Sequence, residues 1–116
     1  MQEKPAFIQG LFSYEGSGLA SPLSFKTPVT YRVPSDKRAQ TIYFRAGNPS
    51  PEMIYLVLTR HGQPMRYFPV GAKGAVHVPL AVVEDISPGS LVEVLVAAPV
   101  GLKSEVLLDI GFLEIA

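Results

Sequence analysis

Short strand-like runs separated by turn residues constrain the fold of this chain more than any other feature. The 10 glycines and 11 prolines are spread along the 116 residues instead of forming one linker, and both residue types mark turns. No window of about eleven residues has a convincing helical period. The runs between the turns are β-branched, aromatic or alternating, as strands are, and they cover residues 28–34, 40–47, 53–60, 64–70, 75–79, 91–98 and 104–115.

The number and pattern of these runs predict the fold class. Short strands joined by frequent turns are typical of an antiparallel sandwich or barrel. We therefore predict an all-β protein, an antiparallel β-sandwich or jelly roll of seven to eight short strands. The core is expected to contain Ile42, Phe44, Leu56, Leu58, Val94, Val96, Leu108 and Ile110.

The first 24 residues differ from the rest because Gly and Ser surround isolated aromatic residues. We interpret residues 1–24 as an N-terminal arm packed on the body, with a short strand near residues 7–12. Residues 25–116 are predicted to form a single β-sandwich domain, which is long enough for one core. Within this domain, residues 80–90 are expected to hold one helical turn.

Charge and composition exclude several classes of function. The 10 basic and 10 acidic residues balance, whereas a nucleic-acid partner usually requires a basic excess. A polybasic membrane patch and an apolar membrane span are absent from the sequence. The lack of cysteine excludes thiolate metal sites and disulfides and weakly favours the cytoplasm. The first residues have no apolar signal-peptide region, so we expect a cytoplasmic protein. No cofactor is assigned.

One motif resembles an active site. Residues 56–63, LVLTRHGQ, resemble the histidine phosphatase motif, in which the His accepts phosphate and the Arg binds it. That family requires an α/β sheet, a second Arg and a late His. Here the residues after Gly62 are extended, and the only later histidine is His77. We interpret the resemblance as coincidental.

The same residues predict a β-hairpin instead. His61 and Gly62 suit the turn, because Gly accepts positive φ, and His61 is expected to be exposed. The apolar pattern then sets the register. The expected pairs are Leu58 with Met65 and Leu56 with Tyr67 on the core face, and Val57 with Arg66 and Tyr55 with Phe68 on the other face.

A set of polar and aromatic side chains forms the candidate binding surface. Strand alternation places Tyr43 and Arg45 on one face, and residues of the hairpin and His77 are expected to join them. Tyr, Arg and His on a sheet face can stack on a sugar or anchor a protein; a solvated face or a subunit interface is the alternative. The candidate ligand-binding residues are Tyr43, Arg45, Asn48, Tyr55, Arg66 and His77, and no catalytic or metal-binding residue is assigned.

Metal sites are the weaker alternatives. The two histidines, His61 and His77, lack the spacing of a zinc site. Glu84 and Asp85 have the oxygen ligands that calcium prefers, although a solvated loop is the favoured explanation. Asp109 lies within an apolar strand and is expected to have a polar partner, because burying a lone carboxylate is costly.

Residues 29–48, VTYRVPSDKRAQTIYFRAGN, and residues 106–115, VLLDIGFLEI, resemble the jelly-roll carbohydrate-binding modules with a galactose-binding-like fold. The resemblance implies a β-sandwich and loops that bind sugar or calcium, and it carries over to Arg45, Asn48 and Asp109. The sequence has no Trp, the usual sugar-stacking residue in that family. Tyr43, Tyr55 or Tyr67 would therefore have to replace it.

Three functions follow from these observations. The first is a non-catalytic module for protein assembly or self-association as a homodimer, because 47% hydrophobic residues is more than a small chain easily hides. The alternative is a carbohydrate- or small-ligand-binding module. The third is a small metal-dependent enzyme of the cupin type, using His61 or His77.

Overall fold

The protein is built from strands. The structure, a computed structural model, describes residues 3–81 and 83–116. These residues form no helix, so the described part of residues 80–90 lacks the expected helical turn, and there is no helix that could span a membrane. The strands are β1 (Glu3–Glu15), β2 (Leu23–Arg32), β3 (Arg38–Gly47), β4 (Ile54–Arg60), β5 (Gln63–Val70), β6 (Ala75–Pro79), β7 (Leu91–Ala97) and β8 (Lys103–Ile115).

Two antiparallel sheets pack face to face. The first sheet has the strand order β1-β8-β3-β6, and the second has the order β2-β7-β4-β5. Only the β4–β5 hairpin joins neighbouring strands of one sheet directly, whereas the other connections cross between the sheets. The predicted all-β sandwich of the jelly-roll kind is confirmed.

The N-terminal segment contributes a full strand. β1 pairs with β8 along its whole length, from Glu3 opposite Ile115 to Glu15 opposite Lys103. The short strand expected near residues 7–12 is therefore the middle of an edge strand in the first sheet. The boundary between an arm and a domain after residue 24 stays a prediction.

The core lies between the sheets, where the Phe44 and Phe68 rings stack at a centroid distance of 3.8 Å. Seven of the eight predicted core residues are buried, and Ile42, which is 38% exposed, is the exception. The prediction for Ile42 is wrong because the pairing of β3 with β8 shifts between Thr41 and Tyr43. This bulge adds one residue to β3 and reverses the alternation, so that Thr41 points inward.

The hairpin turn is where the sequence predicted it. His61 has φ of 49° and Gly62 has φ of 78°, and positive φ at both central residues is the pattern of a type I′ turn. His61 is exposed, as expected.

The register beyond this turn differs from the prediction. The ladder of β4 and β5 shifts between Leu58 and Thr59, which leaves Met65 as an extra residue. All four predicted pairs are therefore wrong, because a bulge moves every later side chain to the opposite face. Tyr67 is 60% exposed and Phe68 is buried. The observed pairs are Leu58 with Arg66, Val57 with Tyr67, Leu56 with Phe68 and Tyr55 with Pro69.

Prolines distinguish the edge strands from the inner strands. Each of the edge strands β1, β2, β5 and β6 contains proline, and none of the inner strands β3, β4, β7 and β8 does. Proline has no amide hydrogen to give to a ladder, so sheets accept it mainly at their edges. The residues are Pro5, Pro28, Pro64, Pro69 and Pro79.

Candidate functional site

A row of polar side chains crosses the outer face of the first sheet. Arg45 on β3 lies opposite His77 on β6 and opposite Asp109 on β8, and Gln9 on β1 lies opposite Asp109. We call Gln9, Asp109, Arg45 and His77 the polar row. Tyr43 lies two residues before Arg45, and strand alternation places it on the same face.

Asp109 is the centre of the hydrogen bonding in this row. The Tyr43 hydroxyl donates to Asp109 Oδ1 at 2.8 Å, and Gln9 Nε2 donates to the same oxygen at 3.1 Å. These hydrogen bonds, first that of Tyr43 and then that of Gln9, hold the pKa of Asp109 below its usual value, with a smaller contribution from the Arg45 charge. Asp109 is therefore a carboxylate at neutral pH, and the partner expected for it from the sequence is present.

Tyr43 is held in place on several sides. Its ring lies so close to Gly111 that a Cβ at that position would be 2.1 Å from the ring. The Arg45 guanidinium carbon is 5.1 Å from the ring centroid, and the His77 ring meets Tyr43 edge-on at 6.3 Å. Desolvation and the hydrogen bond to Asp109 raise the pKa of Tyr43, so the hydroxyl keeps its proton and donates.

A groove of about 450 Å³ opens beside the polar row. This volume lies within the range of about 300–1,000 Å³ that is usual for small-ligand sites. Gly47 and Ala75 pair across β3 and β6, and their small size leaves the space open. Leu107, which is 57% exposed, adds an apolar surface. The lining residues are Arg45, Ala46, Gly47, Ala75, Val76, His77, Leu107 and Asp109.

Asn48, one of the ligand-binding residues predicted from the sequence, is buried and holds the backbone of neighbouring segments together. It is 3% exposed, and its Nδ2 is within hydrogen-bond distance of the backbone carbonyls of Glu52, Val70 and Gly71. Its Oδ1 accepts from the Ser50 amide. The amide of Asn48 thus ties the β3–β4 loop to the end of β5.

Tyr55 and Arg66 lie away from the polar row. Tyr55 is on the second sheet, where its hydroxyl donates to the Leu19 carbonyl and its ring is 6.0 Å from that of Tyr67. Arg66 Nη2 is 3.5 Å from Glu84 Oε1. The six candidates therefore do not share one face: β3 and β6 belong to the first sheet, whereas β4 and β5 belong to the second.

The metal alternatives gain no further ligands from the structure. Within residues 3–81 and 83–116, no group of three or more His, Cys, Asp or Glu side chains is placed to hold an ion. Asp85 Oδ1 accepts hydrogen bonds from Arg38 at 2.6 Å and Gln40 at 2.7 Å. Glu84 faces Arg66, so each acid of the proposed calcium pair has a protein partner.

Sequence reasoning did not single out Gln9, Leu107 or Gly47 as site residues. On the outward face of β1, Gln9 is the polar residue between Phe7 and Leu11. It can be recognised as a site residue only when β1 is paired with β8, which places Gln9 opposite Asp109. Leu107 is as apolar as its buried neighbours on β8, so the local sequence does not show that its side chain is exposed. These residues are brought together by strand pairing, which the one-dimensional pattern does not specify.

No protein-family model matches the sequence, and no curated protein matches it. Solved structures are similar to it. The CBM36-1 domain of a multidomain xylanase from the hindgut metagenome of Trinervitermes trinervoides aligns over 97% of this chain and 98% of that domain, with a TM-score of 0.60 and 12% identity. The chain shares the β-sandwich fold of that domain. The resemblance seen in residues 29–48 and 106–115 is thus confirmed at the level of the fold.

Two longer chains contain a similar region. An exo-beta-1,3-galactanase from Phanerochaete chrysosporium, in a structure with galactose, aligns over 97% of this chain and 29% of its own length, with a TM-score of 0.46 and 14% identity. A chain of the infectious bursal disease virus Gx strain aligns over 99% of this chain and 33% of its own length, with a TM-score of 0.48 and 10% identity. This chain spans about a third or less of each.

Proposed function

We propose that the protein is a non-catalytic carbohydrate-binding module whose ligand lies in the groove on the outer face of the first sheet. The observation that carries the proposal is the convergence of Asp109, Arg45 and His77 beside a groove kept open by small residues. The similarity in fold to a carbohydrate-binding module supports it. The cytoplasmic location and the absence of nucleic-acid and membrane partners stay predictions from the sequence.

The side chains of the groove match the chemistry of a sugar. Sugar hydroxyls both donate and accept hydrogen bonds; Asp109 accepts, and the Arg45 guanidinium donates. His77 can do either, depending on which ring nitrogen carries the proton. Leu107 provides a surface for the apolar C–H groups of a sugar ring, as the apolar lining of small-ligand sites does.

A glycan array followed by calorimetric titration tests this proposal. Arg45→Ala is expected to weaken binding about ten- to hundredfold, the range for a lost hydrogen bond to a charged group, and His77→Ala is expected to weaken it about two- to tenfold, the range for an ordinary hydrogen bond. Tyr67→Ala is the matched control, because it removes an exposed ring from the second sheet. If Tyr67→Ala abolishes binding and Arg45→Ala does not, the ligand lies on the second sheet and the groove is excluded.

Self-association is a second candidate function, and exposed apolar side chains favour it. Phe7, Leu11 and Leu107 are 52%, 57% and 57% exposed, and alternation and strand pairing place them on the same outer face as the groove. Exposed apolar groups that lie together often mark interfaces. Light scattering should show a dimer for the native chain and a monomer for Leu11→Glu; a native monomer at high micromolar concentration contradicts this function.

A further inference from the structure

The two carboxylate oxygens of Asp109 have different surroundings. Oδ1 accepts the hydrogen bonds of Tyr43 and Gln9. Oδ2 faces Arg45 Nη1 at 3.6 Å, which is beyond the usual range of a hydrogen bond. Among the described residues, no side chain donates a hydrogen bond to Oδ2. Oδ2 and the Arg45 guanidinium therefore form a loose ion pair at the wall of the groove, in which the acceptor and the donor can both reach a ligand atom placed beside them.

A ligand hydroxyl fits the chemistry of this ion pair, because it can bridge the two side chains from the groove. It can donate its hydrogen to Asp109 Oδ2 and accept from Arg45 at the same time, because a hydroxyl is both donor and acceptor. His77 lies directly opposite Arg45, where Cβ atoms of paired strand residues are about 4.5–5.5 Å apart. A second hydroxyl next to the first thus comes within reach of the imidazole.

The formal charges of the groove balance. Arg45 and Asp109 are the charged residues among the lining residues, and their charges have opposite sign. Along β8, alternation places Glu105 on the same face beyond Leu107. A carboxylate on the ligand would approach Asp109 and compete with it for Arg45, so like charges would repel within the site.

We propose that the groove selects a neutral sugar through two adjacent hydroxyls, one bridging Asp109 and Arg45 and the other at His77, and discriminates against acidic sugars. This inference rests on the proposed function of sugar binding. It specifies the class of sugar that is bound, and it assigns to Asp109 the role of disfavouring acidic sugars. Tyr43 and Gln9 are positioning residues, since they orient the Asp109 carboxylate and leave Oδ2 directed at the ligand.

Matched sugars test the selectivity. The array carries neutral oligosaccharides and their counterparts of the same linkage oxidised to the uronic acid, and the best pair is then titrated by calorimetry. The native chain should bind the neutral member at least about tenfold more tightly. Asp109→Asn keeps an acceptor for Tyr43 and Gln9 but removes the charge, so the ratio of the two affinities should fall towards one.

Deoxy sugars test the contact with two hydroxyls. Removing either of two adjacent hydroxyls from the neutral ligand should cost about ten- to hundredfold in affinity, and removal of a distant hydroxyl should cost little. For Arg45→Ala, deleting the hydroxyl that lies at Arg45 should cost much less than it does for the native chain. Equal losses in the two chains would contradict the assignment.

A steric variant separates folding from binding. A Cβ at Gly47 would lie 3.6 Å from Leu107 Cβ, an ordinary contact distance, so Gly47→Ala should fold normally while it narrows the groove for every sugar. An acidic sugar that binds as tightly as its neutral counterpart, or an Asp109→Asn variant with an unchanged ratio, overturns the selectivity alone. A native chain that binds no sugar of the array overturns the proposed function and the selectivity with it.

Discussion

Two glycines on the outer face of the first sheet differ in what a side chain would meet. At Gly111 an added Cβ would be 2.1 Å from the Tyr43 ring, whereas at Gly47 it would be 3.6 Å from Leu107 Cβ. Gly111 is therefore required for the position of Tyr43. Gly47 is not required by the fold, and its lack of a side chain instead keeps the groove open.

Exchanging each of these glycines for alanine should separate stability from binding. Gly111→Ala must displace the Tyr43 ring and its hydrogen bond to Asp109, and we expect a loss of about 1–3 kcal/mol in the free energy of unfolding together with weaker sugar binding. Gly47→Ala should unfold at the native temperature or slightly above it, because alanine restricts the unfolded chain more than glycine does. Thermal unfolding measures both, and a native-like Gly111→Ala would contradict the described packing.

Tyr31 is expected to make the stability of the fold depend on pH in alkaline solution. Its hydroxyl donates to Glu114 Oε2, and its ring stacks on Phe112 at 4.3 Å. Burial, followed by the hydrogen bond and charge of Glu114, raises the pKa of Tyr31 well above the usual value of 10.0. The stabilisation is complete at pH values well below 10.0, and it is lost progressively as the pH rises through that value towards the pKa of the folded state.

Denaturant unfolding at several pH values tests this dependence. The free energy of unfolding of the native chain should fall between about pH 9 and about pH 11, and Tyr31→Phe should fall less steeply over the same interval. The other tyrosines are common to both chains, so the difference between the two curves reports Tyr31. Parallel curves would show that Tyr31 titrates alike in the folded and unfolded states.

At the scale of single strands, the bulges are what the sequence did not reveal. Alternation correctly identified the buried positions of β4, β7 and β8, because each residue changes face along a regular strand. One extra residue in β3 exposes Ile42, and one in β5 exposes Tyr67. Whether a strand bulges depends on its pairing with a neighbour, and the residue pattern of a single strand does not contain that information.

The bulged register of the hairpin makes a clear prediction for two adjacent aromatic residues. Phe68 is 4% exposed and stacks on Phe44, so Phe68→Ala should cost about 3–5 kcal/mol of stability. Tyr67 is 60% exposed, so Tyr67→Ala should change stability by about 0.5 kcal/mol or less. Chemical denaturation of the two variants decides between the registers, since a regular hairpin would reverse the order.

At the scale of the molecule, the candidate site depends on which strands are neighbours. The sequence predicts ligand-binding roles for Tyr43, Arg45 and His77. These three side chains do lie together, because β3 and β6 pair. Tyr55 and Arg66 were chosen for the same chemistry, but their strands lie in the other sheet. Composition and alternation are local properties, whereas strand order is fixed by contacts between distant residues, so the sequence could predict the sandwich without predicting its surface.

The two candidate functions use the same face of the first sheet, so sugar binding and dimer formation are expected to affect each other. Leu107 lines the groove and is also one of the exposed apolar side chains. If a dimer buries Leu107, a saturating sugar must favour the monomer, since a ligand that binds only one state shifts the equilibrium towards it. Light scattering with and without sugar should show this shift, and a dimer unaffected by bound sugar would place the interface elsewhere.

The prolines of the edge strands have a further consequence for the behaviour of the chain at high concentration. An open sheet edge can recruit a strand from another molecule and start an aggregate. Pro69→Thr, on the exposed edge of β5, should therefore shorten the lag before aggregation under agitation while the melting temperature changes little, and Pro49→Thr in the β3–β4 loop should alter neither. Resistance to aggregation would then depend on the edge strands of the sheets and not on the stability of the core.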